Sequence, residues 1–253
     1  MNWVTRILHA LWGLFAWLCF GMVVIFALLM TIFVPGKERR ERLAAAASRA
    51  VFVLPGIRVN AIGLDNIPDE SCVVVANHAS YIDGILLKGY LHARFSFVIK
   101  GEMRNIPVVH FVLRRAGAKF VERNKHSGSA RDARQIVKAA QGGESLAFFP
   151  EGTFRKEPGV GQFRPGAFVA AVRGRMPVVP VAISGTRSML PAGGILPHPN
   201  TLTFEVLPAI KPGDTDFGDS RGLAEAARQR ILEVLDEPDL LRTAPGEQDA
   251  ASN

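Results

Sequence analysis

Apolar and polar positions along this chain fall into two regimes. From Ile7 to Gly36 there is no Asp, Glu, Lys or Arg, and most positions are Leu, Ile, Val, Phe, Ala, Trp or Met. Helix over those thirty residues would extend about 45 Å against a hydrocarbon core of about 30 Å, enough for one tilted span and too little for two. A half-inserted hairpin bent around Gly21 is the other geometry that fits. A cleaved secretory signal would be shorter and would end in a small-residue cleavage site. This run stops instead at Pro35-Gly36, followed by Lys37-Glu38-Arg39-Arg40-Glu41-Arg42. Four cations after the run, against Arg6 before it, place its C-terminal side in the cytoplasm. Residues 1–36 therefore read as a retained membrane anchor, 37–238 as the globular domain and 239–253 as a loose polar tail.

Beyond the anchor and a polar helix over 44–51, short apolar runs alternate with helical stretches. The runs predict strands over 57–62, 72–76, 95–99, 119–121, 145–149, 178–183 and 201–206. Helices are predicted over 81–91, 107–116, 129–141 (closed by Gly142-Gly143), 166–173 and 221–235, the last capped by Ser220. Strands separated by helices of this length define an α/β fold, a mixed, largely parallel sheet flanked by helices. No internal repeat is present.

Charge and cysteine usage narrow the partners. The 253 residues carry a formal net charge of +7, which suits nucleic acid, an anionic membrane surface or a phosphorylated substrate. With an anchor present, and neither an aromatic-interleaved RNA motif nor zinc-finger spacing, the last two are favoured and nucleic acid is not. The two cysteines, Cys19 in the anchor and Cys72 in a core run, form no disulfide framework, in keeping with a reducing compartment. Cys72 reads as an inert core thiol rather than a nucleophile. No P-loop, dinucleotide fingerprint or metal-ligand spacing is found.

The stretch Asn77-His78-Ala79-Ser80-Tyr81-Ile82-Asp83 follows the apolar run 72–76. It sets an imidazole and a carboxylate five positions apart, too far around one regular helix to meet but within reach across a strand-to-helix bend. Such a pair suggests His78 as a general base and Asp83 as the group that fixes its tautomer. Chance supplies a His-x4-Asp in roughly one such chain in four, so spacing alone favours a surface histidine beside a helix-capping aspartate. His9, His92, His110, His126 and His198 lie in no comparable setting.

Three further stretches supply the context. Gly117-Ala118-Lys119-Phe120-Val121-Glu122-Arg123 ends a short strand with a cation. Phe149-Pro150-Glu151-Gly152-Thr153-Phe154-Arg155 ends the most apolar strand with a carboxylate and a glycine. Val178-Val179-Pro180-Val181 interrupts a β-branched strand with Pro180, which implies an edge, a bulge or a strand start. In this order the four blocks resemble those of the glycerolipid acyltransferase family, which includes the 1-acylglycerol-3-phosphate acyltransferases. The motifs are Asn-His-x-Ser-x-x-Asp (Asn77, His78, Ser80, Asp83), Gly-x-x-Phe-x-x-Arg (Gly117, Phe120, Arg123), Phe-Pro-Glu-Gly-Thr (149–153) and Val-Pro-Val around Pro180. Lys100 and Glu102 look like the family's Lys-x-Glu segment. The likeness spans about residues 60–183, half the chain. It departs at Phe154, which stands before Arg155 where many members have Arg directly after Glu-Gly-Thr.

The resemblance implies transfer of a fatty acyl group from an acyl thioester to the free hydroxyl of lysophosphatidic acid. No cofactor is implied; acyl-CoA or acyl carrier protein enters as co-substrate. His78 would deprotonate the hydroxyl, and backbone N–H groups of Ala79–Tyr81 would hold the oxyanion. Arg123 would clamp the phosphate in two-pronged fashion, with Lys100 and Arg155 as further substrate contacts. Glu151 and Gly152 would hold the glycerol hydroxyls and permit close backbone approach. Other acceptors remain open: a lyso-aminolipid, another lysophospholipid or glycerol-3-phosphate. A serine lipase or thioesterase is the rival enzyme class; it needs a Gly-x-Ser-x-Gly nucleophile elbow, which is expected to be missing, and Ser80 beside His78 could serve only in a less usual geometry. A non-catalytic lipid-binding protein would give no reason for His, Asp, Arg and Glu-Gly to occur in this order.

Overall fold

The computed structural model describes residues 2–122 and 126–242. In chain order the elements are α1 (Trp3–Phe33), α2 (Lys37–Val53), β1 (Val59–Ile62), β2 (Val73–Ala76), α3 (Asp83–Tyr90), β3 (Ser96–Lys100), α4 (Pro107–Arg115), β4 (Lys119–Val121), α5 (His126–Gln141), β5 (Leu146–Phe148), α6 (Gly166–Gly174), β6 (Val178–Ser184), α7 (Thr186–Met189), β7 (Leu202–Val206) and α8 (Ser220–Val234). All seven predicted strands form, each within a few residues of its expected bounds. The short α7 is an addition, and the polar helix begins at Lys37, so the charged run after α1 is itself helical.

The strands make one sheet in the order β1-β7-β6-β2-β5-β3-β4. Every neighbouring pair is parallel except β6 and β7. Five adjacent strands, β6-β2-β5-β3-β4, therefore end at one edge. β2 and β5 lie side by side at its centre, and their outgoing connections run in opposite directions, to β3 and to β6. That is where an open α/β sheet leaves room for a ligand.

Side-chain alternation along the strands splits the core into two layers. Val73 and Val75 pack with Ile136, Ala140, Phe168, Ala171, Leu223 and Ile231, from α5, α6 and α8. Cys72, Val74 and Ala76 face Phe52 from α2, Leu86 and Leu87 from α3, and Leu91 just after it. Because β2 is buried on both faces, it reads as an unbroken apolar run rather than an alternating one.

Pro180 lies inside an interior strand, at a bulge. Val181 pairs with Val206 and Val178 with Ile210, so the partner chain carries one residue more than β6 between these pairs. The ladder is interrupted where proline has no N–H to donate, while the Pro180 carbonyl accepts Leu207 N–H at 2.9 Å.

Of the two geometries the apolar run allowed, the hairpin bent at Gly21 is not formed: α1 is one unbroken helix of 31 residues, since no proline interrupts it before Pro35. Its apolar stretch Trp3–Met30 has a mean hydropathy of 2.5 and is largely exposed. Its middle leans on the domain. Trp12 Nε1 donates to Pro55 O at 3.2 Å and Trp17 Nε1 to Ile195 O at 2.7 Å. A Cβ on Gly13 would come within 2.7 Å of Pro197 O, so glycine here permits the close approach. At the other end, residues 239–242 are fastened rather than loose, because Leu240 N–H donates to Val160 O and Asp239 pairs with Arg228.

Candidate active site

Chain turns between strand and helix are usually mobile, but the one after β2 is tied at several points. Asn77 is buried and bridges to β6: its Nδ2 donates to Ile183 O at 2.9 Å and its Oδ1 accepts Ile183 N–H at 2.7 Å. Ser80, also buried, donates its hydroxyl to Leu190 O at 2.7 Å. It is not the N-cap of α3, which starts at Asp83 after Ile82. Both side chains thus tie the turn to its neighbours.

Within that turn His78 Nδ1 lies 2.9 Å from Asp83 Oδ2. Asp83 is fully buried, and the same oxygen accepts N–H from Ala79 at 2.6 Å and from Ser80 at 2.7 Å. A carboxylate in the first helical turn is also favoured by the helix dipole. With an acceptor beside it, Nδ1 carries the ring proton, which leaves the Nε2 lone pair free for a substrate proton. The amides of Ala79 and Ser80, expected to hold an oxyanion, are instead the donors that fix Asp83.

Aromatic rings enclose the imidazole. Phe149 stacks on it with centroids 4.3 Å apart and planes 20° from parallel. Phe154 meets it edge-on at 4.8 Å and is itself met by Tyr81 at 4.6 Å. The His78 side chain is left 18% exposed. Phe154 was not among the expected site residues, and its signal was the departure from the family motif: an aromatic where the resemblance led one to expect arginine. Arg155 is exposed, and its carbonyl accepts from Arg187 at 2.8 Å.

Glu151 brackets the turn from β5. Oε1 accepts His78 N–H at 2.8 Å and Oε2 accepts Gly161 N–H at 3.0 Å. Burial pushes its pKa up, and those two N–H groups, Gly161 then His78, pull it partway back. Gly152 adopts φ +84° and its N–H closes the turn onto Phe149 O at 3.1 Å, so glycine is required by the backbone there. Pro150 contributes its carbonyl to Arg164 N–H at 2.9 Å, and Thr153 is exposed.

The third block approaches the same sheet edge. Lys100 ends β3 opposite Val121 in β4, and its Nζ pairs with Glu102 at 2.6 Å. Arg123, two residues beyond Val121, lies outside the described residues. Phe120 is held between Arg104, 5.6 Å from its ring, and the His110 ring at 5.0 Å. Gly117 has φ +84°, and a Cβ there would fall 2.4 Å from Glu41 Oε1. Phe120 and Gly117 thus shape the approach to β4.

Alternative chemistries lose ground. Cys72 is fully buried, and burial pushes its thiol up to about 11 against the opposing pull of Arg94, so no thiolate is on offer. Gly-x-Ser-x-Gly does occur once, at Gly218-Asp219-Ser220-Arg221-Gly222, a match the sequence reading passed over. It opens α8, with Asp219 as the N-cap accepting from Arg221 and Gly222, and no strand leads into it, so it is a capped helix start and not an elbow. Among the described residues no cluster of three or more His, Cys, Asp or Glu could hold a metal ion.

A histidine held by a buried carboxylate at the carboxyl edge of an α/β sheet is an arrangement that can serve as a general base. The comparisons name the class more closely. The family model described as Acyltransferase matches residues 58–184, which takes in all four blocks, and the chain belongs to that family. It is 29% identical over 209 residues to a chloroplastic 1-acyl-sn-glycerol-3-phosphate acyltransferase of Arabidopsis thaliana, covering 81% of this chain and 57% of that protein. It is 28% identical over 159 residues to a 1-acyl-sn-glycerol-3-phosphate acyltransferase of Pseudomonas aeruginosa, covering 62% of this chain and 61% of that one. The chain thus spans about three fifths of the length of these relatives. The crystal structure of the 1-acyl-sn-glycerophosphate (LPA) acyltransferase PlsC from Thermotoga maritima shares the fold, with a TM-score of 0.73 and 24% identity over 96% of this chain and 99% of that one.

Proposed function

We propose that this chain moves a fatty acyl group from an acyl thioester to the free hydroxyl of 1-acylglycerol-3-phosphate, giving phosphatidic acid. The observation that carries the reading is the 2.9 Å contact between His78 Nδ1 and the buried Asp83. Nε2 takes the hydroxyl proton as the oxygen attacks the thioester carbonyl, and Asp83 stabilises the imidazolium that forms. When the tetrahedral intermediate collapses, the C–S bond breaks and the proton passes from His78 to the departing thiolate. Arg123 and Lys100, the latter at the end of β3, would hold the acceptor phosphate. Glu151, bracketing the turn with two of its lone pairs, has others for the acceptor glycerol. The names of the relatives support this acceptor.

The anchor fits a lipid substrate. Because Trp12 and Trp17 contact the domain midway along α1, an upright span would carry Pro55 and Ile195 to bilayer depth. We propose that α1 lies in one leaflet on the cytoplasmic side, beside the exposed Val53, Leu54 and Ile195.

The test is an assay of the purified protein in anionic vesicles with lysophosphatidic acid and either acyl-CoA or acyl carrier protein thioester. Phosphatidic acid should form and should be lost in His78→Ala. Equal rates on lyso-lipids without a phosphate would defeat the proposed acceptor, and full activity of His78→Ala would defeat the mechanism.

A further inference from the structure

The loop after Glu151 has little regular structure of its own, and the segment after α8 supplies what holds it. Val160 N–H donates to Pro238 O at 3.0 Å and Leu240 N–H to Val160 O at 3.3 Å, with Val160 and Asp239 forming a parallel bridge. Gly159 N–H donates to Glu237 Oε2 at 2.9 Å. Glu237 is gripped in two-pronged fashion by Arg187, whose Nε and Nη2 lie 3.1 and 3.0 Å from its two oxygens, while Arg187 Nη1 reaches Arg155 O.

Arg228 completes the joint from α8. It is 1% exposed, and its Nε donates to Gly161 O at 2.9 Å, its Nη2 to Val160 O at 3.2 Å. The same guanidinium pairs with Asp239 and, at 3.1 Å, with Glu225. A buried ion pair gives little net stability over an apolar replacement, yet this one aims its donors at backbone carbonyls of one loop. Gly161 is where that loop meets the catalytic turn: its carbonyl accepts from Arg228, its N–H donates to Glu151, and Glu151 holds His78 N–H. The bonds run without a gap from the C-terminal segment to the backbone of the proposed base.

We propose that segment 237–240, with Arg187 and Arg228, is a positioning latch for the catalytic turn. It fixes Gly161 so that Glu151 keeps both donors, and Glu151 in turn fixes His78. None of the latch residues touches the reacting atoms; they act through Glu151. Only the kinetic arm of the test rests on His78 being the base.

The experiment takes the full chain in vesicles as Asp239→Asn, Glu237→Gln, Arg228→Met and Arg228→Lys. Amide exchange is read on peptides covering His78 and Gly161, and kcat and KM on acyl transfer to lysophosphatidic acid. In Asp239→Asn and Arg228→Met, exchange at His78 and Gly161 should speed up roughly tenfold or more while Val73–Ala76 stays protected. The kcat should fall roughly tenfold with donor KM within about twofold. Arg228→Lys should recover part of both losses. On a Glu151→Gln background, Asp239→Asn should change His78 exchange by less than about twofold, because the link is already broken. The proposal is overturned if the latch variants lower Tm but leave His78 exchange unchanged, or if their effect is undiminished on the Glu151→Gln background. Should Arg228→Met fail to fold, Asp239→Asn and Glu237→Gln decide by the same criteria. Absence of any transfer by the unaltered chain would sink the proposed function, and the exchange arm would still decide the latch.

Discussion

Glu151 accepts the backbone N–H of His78 at 2.8 Å, across 73 residues of chain. The imidazole is therefore fixed twice, through its main chain by a carboxylate from β5 and through Nδ1 by Asp83. Two acids that read alike in the sequence have different tasks: one holds the turn, the other sets the tautomer.

Asp83→Asn should lower kcat by roughly a hundredfold or more with acceptor KM little changed, since an amide can present the wrong tautomer to Nδ1. It should also lower stability by about 1–3 kcal/mol, because the Oδ2 that accepts from His78, Ala79 and Ser80 is weakened or turned away. Steady-state kinetics beside thermal unfolding separate the two losses. A variant with unchanged kcat would remove Asp83 from the mechanism.

Glu151 gives a pH-dependent signature. Its folded pKa is raised above the ordinary 4.5, chiefly by burial. A raised pKa means that the folded state binds the proton more tightly than the unfolded one. The associated stabilisation is present below pH 4.5 and is lost as pH rises through the folded pKa. Denaturant unfolding of the unaltered chain and of Glu151→Gln across this window should show the unaltered chain losing ground to the variant as pH rises. Parallel curves would contradict it.

Phe154→Leu should reduce kcat by up to about tenfold, the size of one aromatic contact on the imidazole, with unfolding temperature nearly unchanged because Phe154 is only half-buried. Phe154→Arg puts there the residue the family resemblance led one to expect and removes the ring beside His78. It should favour acceptors with a charged headgroup, measured as kcat/KM across a lyso-lipid panel. Identical profiles for both variants would make Phe154 a simple spacer.

Gly117→Ala should destabilise the domain by about 1–3 kcal/mol, since φ is +84° and the new Cβ would meet Glu41 Oε1 at 2.4 Å. Thermal unfolding checks it, and a neutral result would mean that the β4 approach relaxes freely.

The chain by itself determined what depends on local pattern. Apolar runs such as 72–76 and 145–149 marked strands because a strand buried on both faces has no polar alternation to hide. His78 and Asp83 were legible as a pair because a strand-to-helix bend closes a five-residue spacing, and ordered blocks gave the family. What local pattern cannot carry was decided by tertiary contacts. Strand order brought Glu151 beside His78, and the pairing of β6 with β7 set the bulge at Pro180. The amides assigned to an oxyanion proved to be donors to Asp83, since a buried carboxylate takes the nearest N–H groups. Gly161 and Arg228 carried no signal of their role, because each acts through partners far along the chain. Side-chain type and spacing fix which groups are on hand, and packing fixes which of their hydrogen bonds are already taken.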